Sequence, residues 1–366
     1  MALETPLMRR LGLERPIIQA PMAGGGDTPA LATAVCEAGG LGSIGCAYST
    51  PEQIEAAASA VRARTNRPFG LNLFAPLERP PLPDHAELAV ACVADYNRSL
   101  GLPPPQLPDG PAYVFEDQLA AALDGGASVI SFAFGIPPKE TIDAVKQRDL
   151  FLMGTATNVE EALALEYAGF DAIVLQGIEA GGHRGGFMQD FEDGMIGLMA
   201  LVPQVADATA LPLVASGGIM DGRGVAAALL LGAEAVQMGT AFLTCAEAGI
   251  PKAYRDAILD ARENETRLTR VFSGRPARGI VNRFMTEMAQ EAESSAEAIL
   301  PFPLQNDLTR PLRKEAARQG RAEFLSLWAG QGVRLARRQG AAEFMASLQA
   351  ETQSAIDRLS DGSHDA

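Results

Sequence analysis

Histidine and cysteine, two side chains that often bind transition metals, are scarce in this sequence. It contains three histidines and four cysteines among 366 residues, and none of them stands at the spacing of a metal site. The cysteines form no C-x-x-C pair, so we expect reduced thiols in a cytoplasmic protein. The sequence therefore predicts no bound metal.

Long apolar runs and an excess of positive charge are also absent. No apolar run approaches the roughly 20 residues that a membrane-spanning helix needs. The first residues lack the continuous apolar segment and the cleavage site of a signal peptide. The formal net charge is −15, with a pI of about 4.7. This charge argues against nucleic acids and anionic membranes as partners, while the oligomeric state stays open.

Short apolar segments alternate with capped helices along most of the chain. The predicted strands are residues 16–22, 41–47, 68–74, 128–134, 150–156, 171–176, 211–216 and 235–243. Thr50 with Gln53 and Asn158 with Glu161 are predicted capping boxes at two helix starts. Eight successive strand–helix units predict an α/β fold, a (β/α)8 TIM barrel with a small helical insertion domain. A doubly wound sheet is the alternative.

Two segments interrupt the alternation. Residues 75–113 are rich in proline, and we predict an insertion over one face of the barrel. Residues 249–303 are predicted to form a helical cap around a polar turn at 270–279. The barrel then consists of residues 1–248 and 304–366. Which of the two segments acts as a lid is left open.

The loop after the sixth strand, residues 177–187, contains five glycines around Glu179, His183 and Arg184. Glycines permit left-handed dihedrals and leave backbone N–H groups bare, so a flat or anionic ligand can lie on the backbone. No other group that titrates near neutral pH stands in this setting, so His183 is predicted to be catalytic or to orient substrate. The alternative is a histidine bonded within its own loop. Arg184 is either an anion contact or a surface arginine.

Barrel enzymes place their active sites at the carboxyl ends of the strands. The residues predicted there are Ala20, Pro21, Met22, Ala23, Asn72, Thr155, Gln176, Ser216, Gly217, Gly218, Gln237, Met238, Gly239 and Thr240. Their amides, hydroxyls and glycines suit a planar, polar cofactor. The glycines after the last two strands suit its phosphate, unless they only form tight turns. Candidates for an apolar wall are Met22, Phe74, Phe132, Phe187 and Trp328.

Longer stretches of the sequence carry a family resemblance. They read PIIQAPMAGG, NLF, SFAFG, DAIVLQGIEAGGHRGG, LVASGGI, LGAEAVQMGTAFL, RVFSGRPARG, FPLQNDLTRP and SLWAGQG. Together they span residues 16 to about 332, and they resemble the nitronate monooxygenases (formerly 2-nitropropane dioxygenases). Members of this family are FMN-dependent barrels.

The resemblance implies which residues bind the cofactor. FMN would be held by Asn72, Gln176, Gly181, Gly182, Ser216, Gly217, Gly218, Gln237, Met238, Gly239 and Thr240, with the backbone of residues 20–23 under the ring. His183 falls on the family's catalytic histidine. Many FMN barrels place a lysine near flavin N1, but the fifth strand here ends with Thr155. Backbone N–H groups, Arg184 or a helix terminus would meet the charge on N1 instead.

The resemblance also implies a reaction. The family oxidises alkyl nitronates, notably propionate 3-nitronate, with O2 through a flavin semiquinone, and forms a carbonyl product with nitrite or nitrate. A nitronate has already lost its α-proton. We therefore expect His183 to position the anion, and to act as a base only on neutral nitroalkanes.

Three other functions remain open. An NAD(P)H-dependent flavin reductase of the same superfamily, of the enoyl-acyl-carrier-protein or quinone type, also carries a Gly-Gly-His loop. A relative of inosine monophosphate dehydrogenase would need a nucleophilic cysteine after the sixth strand, and residues 177–197 contain none. The third alternative is a flavin-binding protein without enzymatic activity.

Overall fold

The computed structural model describes residues 4–107 and 114–360. Its strands are β1 (Ile17–Gln19), β2 (Gly42–Gly45), β3 (Phe69–Phe74), β4 (Val129–Ala133), β5 (Phe151–Ala156), β6 (Ala172–Gln176), β7 (Gly182–His183), β8 (Leu213–Ser216), β9 (Ala235–Met238), β10 (Thr266–Thr269) and β11 (Ala277–Ile280). Eight of them form one parallel sheet in the order β1-β9-β8-β6-β5-β4-β3-β2. The remaining three form a small antiparallel sheet in the order β10-β11-β7.

The large sheet closes on itself through Leu41, which precedes β2. The Gln19 N–H donates to the Leu41 carbonyl at 2.9 Å, and the Leu41 N–H donates to the Ile17 carbonyl at 3.0 Å. These bonds join the two edge strands β1 and β2. The predicted (β/α)8 barrel is therefore confirmed.

The helices that flank these strands begin largely at the predicted caps. They are α1 (Pro6–Leu11), α2 (Pro29–Glu37), α3 (Pro51–Arg62), α4 (Ala86–Ser99), α5 (Phe115–Asp124), α6 (Lys139–Lys146), α7 (Val159–Ala168), α8 (Leu198–Ala206), α9 (Gly222–Leu230), α10 (Thr240–Leu243), α11 (Lys252–Asp260), α12 (Arg283–Ser294), α13 (Leu304–Gln319) and α14 (Ala341–Ser360). Thr50 and Gln53 form the full capping box at α3. No helix among the described residues is both long and apolar enough to cross a membrane.

The barrel has an inner and an outer core. Val129, Val174 and Val214 fill its interior, and Leu7 and Leu11 of α1 pack against them at the amino ends of the strands. The outer faces of the strands pack on the surrounding helices, because a parallel sheet buries both faces.

A third core lies in the cap. The rings of Phe272 and Phe284 stack there with centroids 4.9 Å apart, and helices α11, α12 and α13 contribute apolar side chains. Helix α4 of the Pro-rich insertion joins this core through Ala89 and Val93. The insertion therefore packs on the cap. Residues 108–113 of the predicted insertion lie outside the described residues.

Several predicted elements need correction. The eighth strand ends at Met238, and the rest of the apolar run 235–243 forms the short helix α10. Periodicity cannot separate a buried strand from a buried helical turn in so short a run. Residues 249–303 were predicted to be helical, which is wrong for β10 and β11. The two-residue strand β7 in the glycine loop was not predicted.

The division into domains stays a prediction, although packing bears on where its boundary falls. Residues 304–333 contribute Leu304, Leu308 and Leu312 to the cap core, so the cap as described below comprises residues 249–333. Helix α14 instead contacts α9 and α2 of the barrel. Residues 1–3 and 361–366 of the predicted barrel lie outside the described part of the chain.

Candidate active site

A cavity of about 1150 Å³ lies at the carboxyl ends of the barrel strands and is lined by residues of both the barrel and the cap. Every residue predicted to be catalytic or to bind the cofactor lines it: Ala20, Pro21, Met22, Ala23, Asn72, Gln176, Gly181, Gly182, His183, Ser216, Gly217, Gly218, Gln237, Met238, Gly239 and Thr240. Closure of the barrel explains this, because parallel strands all end on the same face. The binding roles of these residues stay predictions.

A second hollow, of about 460 Å³, opens near the amino ends of β5 and β6. Three of its charged residues pair with each other: Arg10 and Lys146 both contact the Asp171 carboxylate at 2.5 Å. Within the described residues, no group of His, Cys, Asp and Glu could hold a metal ion, either here or elsewhere.

The turn after β8 exposes backbone N–H groups to the large cavity. Gly217 and Gly218 have φ values of +128° and +68°, which side-chain-bearing residues rarely adopt. Among the described residues, neither N–H group has a hydrogen-bond acceptor. Gly239 and Thr240 lie beside this turn and start helix α10. This end of the cavity can therefore bind an anion.

Two amide side chains on the wall have defined partners. The Asn72 amide nitrogen donates to the Ser131 carbonyl and hydroxyl oxygens at 3.1 and 2.9 Å. The Gln176 amide nitrogen donates to the His183 carbonyl at 2.9 Å, and its oxygen accepts from the Gly185 N–H at 2.8 Å. Gln176 therefore holds the glycine loop against the end of β6, in addition to any contact with a ligand.

Two carboxylates that were not predicted as site residues anchor the ends of this loop. Glu161 is 1% exposed and accepts from the Phe187 and Met188 N–H groups at 2.5 and 3.1 Å. Asn158 caps α7 as predicted, but Glu161 does not complete the capping box, because its carboxylate is committed to the loop and to Thr157. Glu179 accepts from the Leu198 N–H at the start of α8.

Arg184 is a structural residue of the loop and is not a wall residue. Its guanidinium donates to the carbonyl oxygens of Gln176, Gly177 and Gly194 at 2.7 to 3.2 Å. It is 4% exposed, and burial lowers its pKa to about 10. Because its donors are occupied by carbonyl oxygens, Arg184 is a poor candidate for an anion contact.

His183 is held by strand pairing and by one side-chain bond. It lies on β7, opposite Ala277 of β11. Its Nε2 is 2.9 Å from the Ser273 hydroxyl oxygen. The same hydroxyl donates to the Arg275 carbonyl at 3.1 Å. Nε2 then carries the proton and donates to Ser273, which leaves a lone pair on Nδ1.

The surroundings of His183 disfavour its charged form. The rings of Phe134, Phe302 and Trp328 lie with centroids 5.5 to 6.0 Å from the imidazole. Desolvation, followed by the positive charges of Arg275 and Arg313, lowers the pKa of His183 to about 3. His183 is therefore neutral across the physiological range.

An aromatic wall leads from His183 to Tyr48 along the cavity. Phe134 contacts Phe74 at a centroid distance of 4.2 Å, and Phe74 contacts Tyr48 at 5.5 Å. Of the predicted wall residues, Met22, Phe74 and Trp328 line the cavity. Phe132 lies in the outer barrel core, and Phe187 packs against that core instead.

The cap contributes wall residues that the sequence did not single out. They are Tyr254, Asn306, Asp307, Arg310, Arg313, Lys314 and Ser326. Part of this set lies in the stretch FPLQNDLTRP, which carries the family resemblance but has no local feature of a binding site. No local pattern could place it, because its position depends on packing between distant segments.

The protein comparisons decide the family. A sequence model described as nitronate monooxygenase matches residues 5–351. The chain belongs to the nitronate monooxygenase family. It is therefore an oxidoreductase, as the resemblance implied.

Individual relatives agree with this family. A probable nitronate monooxygenase of Staphylococcus saprophyticus is 43% identical over 337 residues, which cover 92% of this chain and 94% of that protein. The solved nitroalkane oxidase from Streptomyces ansochromogenes is 41% identical, with a TM-score of 0.89 and coverage of 96% and 99%. FabK from Thermotoga maritima is 28% identical, with a TM-score of 0.77 and coverage of 98% and 99%.

Proposed function

We propose that this protein is an FMN-dependent monooxygenase of alkyl nitronates. It oxidises substrates of the propionate 3-nitronate type with O2 and releases a carbonyl compound with nitrite or nitrate. Family membership supports the proposal. The observation that carries it is a single cavity that joins an anion-binding glycine turn to a neutral histidine among aromatic rings.

The cavity wall fits FMN. The unpartnered N–H groups of Gly217 and Gly218 and the start of α10 suit the phosphate. Asn72 and Gln237 present amide side chains to the same cavity, and these suit the polar edge of the ring. Bound FMN would supply the redox chemistry by taking electrons from the substrate and passing them to O2.

The residues of the cavity wall also limit which groups could stabilise negative charge at flavin N1. Thr155, and no lysine, lines the cavity at the end of β5. Arg184 donates to backbone carbonyls. We therefore assign the stabilisation of negative charge on the ring to backbone N–H groups or to the start of α10, instead of Arg184.

His183 acts on the substrate as a neutral imidazole. With the proton on Nε2, Nδ1 has a free lone pair, but a pKa of about 3 makes His183 a weak base toward the α-proton of a neutral nitroalkane. A nitronate has no such proton to give up. The anion would bind the other neutral tautomer of His183, in which Nδ1 carries the proton and donates to the nitronate while Nε2 accepts from the Ser273 hydroxyl. Its role with nitronates is therefore to position the substrate.

An NAD(P)H-dependent flavin reductase is the second candidate. The specific observation in its favour is the size of the cavity, together with the cationic side chains Arg310 and Arg313 on its wall. A pyridine nucleotide would place its phosphates near such charges.

Analysis of the bound cofactor and of the products tests the proposal. The flavin released from purified holoenzyme is identified by mass, and O2 uptake and nitrite are then measured with propionate 3-nitronate in air. We expect FMN and nitronate-dependent O2 uptake. A different cofactor would contradict the proposal. Bound flavin with no turnover of either nitronate or NAD(P)H would indicate a flavin-binding protein without this activity.

A further inference from the structure

Arg313 of helix α13 is a cation on the cavity wall without a carboxylate partner. Its guanidinium donates to the Asn306 carbonyl at 2.9 Å, to the Asn306 side-chain oxygen at 2.7 Å and to the Thr309 hydroxyl at 3.2 Å. All of these acceptors are neutral. No Asp or Glu in the described part of the chain lies within ion-pair distance of it. A partly buried charge without a counter-ion is costly, which favours an anionic ligand beside it.

Tyr48 faces the same region and also lacks a partner. Its hydroxyl oxygen is buried and makes no hydrogen bond. The Arg310 guanidinium lies 5.5 Å from the centroid of its ring. An unsatisfied buried hydroxyl costs free energy that a ligand acceptor would recover.

Other charged side chains among the described residues line the same wall. Lys314 and Arg310 line the outer part of the cavity. Asp307, the carboxylate that lines the cavity among the described residues, pairs with Arg79 at 3.1 Å. Its charge also favours the charged form of Arg313, but burial is the larger effect and lowers the pKa of Arg313 to about 10, so Asp307 does not compensate for the desolvation of Arg313.

This wall lies within electrostatic reach of His183. The charge of Arg313 lowers the pKa values of both His183 and Tyr48, so Arg313 acts on both ends of the aromatic wall. Phe74 and Phe134 cover the space between the two ends. His183, Arg313 and the rings between them line one cavity, so a ligand that contacts His183 with one end can place an anionic group at Arg313, with its apolar part against these rings.

We propose that Arg313 and Tyr48 bind the carboxylate of a nitronate that carries a second negative charge. The proposal rests on the proposed function and names the residues that select its substrate. A guanidinium matches the planar carboxylate, and the Tyr48 hydroxyl donates to it. The reacting end of the substrate then lies at His183.

Substrate pairs that differ only in the tail test this assignment. The kcat and KM of holoenzyme are measured with propionate 3-nitronate and with butyl 1-nitronate, which has an uncharged tail. We expect the carboxylate substrate to have at least about a tenfold higher kcat/KM. Arg313→Gln should raise KM for propionate 3-nitronate about 30-fold and change KM for butyl 1-nitronate less than about threefold. Tyr48→Phe should raise the first KM about fivefold.

Two control variants match these changes. Arg318→Gln removes an exposed arginine from the same helix, where it pairs with Glu315 away from the cavity. Tyr167→Phe removes a hydroxyl from a tyrosine that is 95% exposed. Both controls should retain the wild-type preference.

Equal kcat/KM values for the two nitronates in the wild type, or an equal rise of both KM values in Arg313→Gln, would overturn the proposal. Failure to oxidise either nitronate would instead contradict the proposed function. In that case, a binding measurement tests the carboxylate site independently of turnover. Calorimetry without O2 compares the affinities of the holoenzyme for 3-nitropropionate and for 1-nitrobutane. Tighter binding of 3-nitropropionate that is lost in Arg313→Gln supports the site, and equal binding overturns it.

Discussion

The residue on which the proposed chemistry depends is His183, and its surroundings determine its charge. Three aromatic rings exclude water, and Arg275 and Arg313 add positive charge nearby. The guanidinium of Arg275 also lies 3.9 Å from the centroid of the Phe134 ring. Phe134 has a φ of +71°, a strained value for a bulky residue, and strain of this kind is common at functional sites. The site therefore keeps a neutral imidazole beside the substrate.

A neutral His183 predicts an unusual pH profile. Because its folded pKa is about 3, kcat/KM should show no inflection from His183 near pH 6.5. The measurement is the ratio of kcat/KM for propionate 3-nitronate between wild type and His183→Asn from pH 5 to 8, since ionisation of the substrate cancels in that ratio. We expect a constant ratio of about 100. A ratio that changes around pH 6.5, or a ratio near one, would contradict the assigned role.

Asp27 is a second residue whose ionisation has a consequence, in this case for the pH dependence of the protein's stability. Its carboxylate accepts from the Met22 and Gly45 N–H groups at 2.5 and 2.7 Å, and so fixes the turn that carries residues 20–26. Desolvation raises its pKa from 3.8 to about 6. The folded state therefore binds this proton more tightly than the unfolded state does. The resulting stabilisation is complete below pH 3.8 and is lost as the pH rises through 6.

Asp27→Asn should remove this pH dependence. The free energy of unfolding of the variant minus that of wild type should increase by about 2 kcal/mol from pH 4 to pH 7, because only wild type loses the stabilisation by Asp27. Urea denaturation at the two pH values measures this difference. Asp221→Asn is the control of opposite sign. Although burial favours the neutral acid, bonds to Arg223 lower the pKa of Asp221. If the difference in free energy of unfolding between Asp27→Asn and wild type does not change with pH, the raised pKa assigned to Asp27 is refuted.

Among the elements, the glycine loop determines where His183 stands. Gly181 and Gly182 are adjacent in it but differ in what surrounds them. A Cβ on Gly181 would lie 2.6 Å from backbone atoms of Ala329 and Gly330. A Cβ on Gly182 would meet nothing within 4 Å, although its φ is +75°. The first glycine is required for close packing of two backbones, and the second only for its dihedral angle.

These two glycines form a matched pair for mutation. Gly182→Ala should cost about 1–2 kcal/mol of stability through backbone strain alone. Gly181→Ala must shift the backbone at residues 329–330, so it should cost more and should also lower the affinity for FMN. Urea denaturation and flavin titration of the two variants give the comparison. Equal effects would show that the close approach at Gly181 is not required.

The elements also show what local sequence can predict. Apolar runs bounded by caps located the eight barrel strands, and barrel closure then placed their end residues around one cavity. Local sequence does not predict the small sheet of β7, β10 and β11, because its strands are short and they pair with residues far away in the chain. The spacing of Asn158 and Glu161 predicts a capping box, and nothing local indicates that the Glu161 carboxylate instead accepts a hydrogen bond from the Phe187 N–H. Arg313 and Tyr48 meet the site only through tertiary packing.

At the scale of the whole molecule, the cavity lies between the barrel with its hydrophobic core and the cap with its own core. The barrel contributes glycines, amides and His183, which fit the cofactor. The cap contributes Trp328 and Arg313, which lie where a substrate would bind. Under the proposed function, the barrel would hold the flavin and the cap would select the substrate. The family relationship covers both parts, because the matched region runs from residue 5 to 351.

The most direct test of this account is a single anaerobic experiment. Holoenzyme is mixed without O2 with propionate 3-nitronate and, separately, with NADH and with NADPH, and the flavin absorption is followed. The account predicts one-electron reduction of the flavin by the nitronate and no bleaching by either pyridine nucleotide. Bleaching by NADH or NADPH with an inert nitronate would contradict it, and would assign the protein to the flavin reductases.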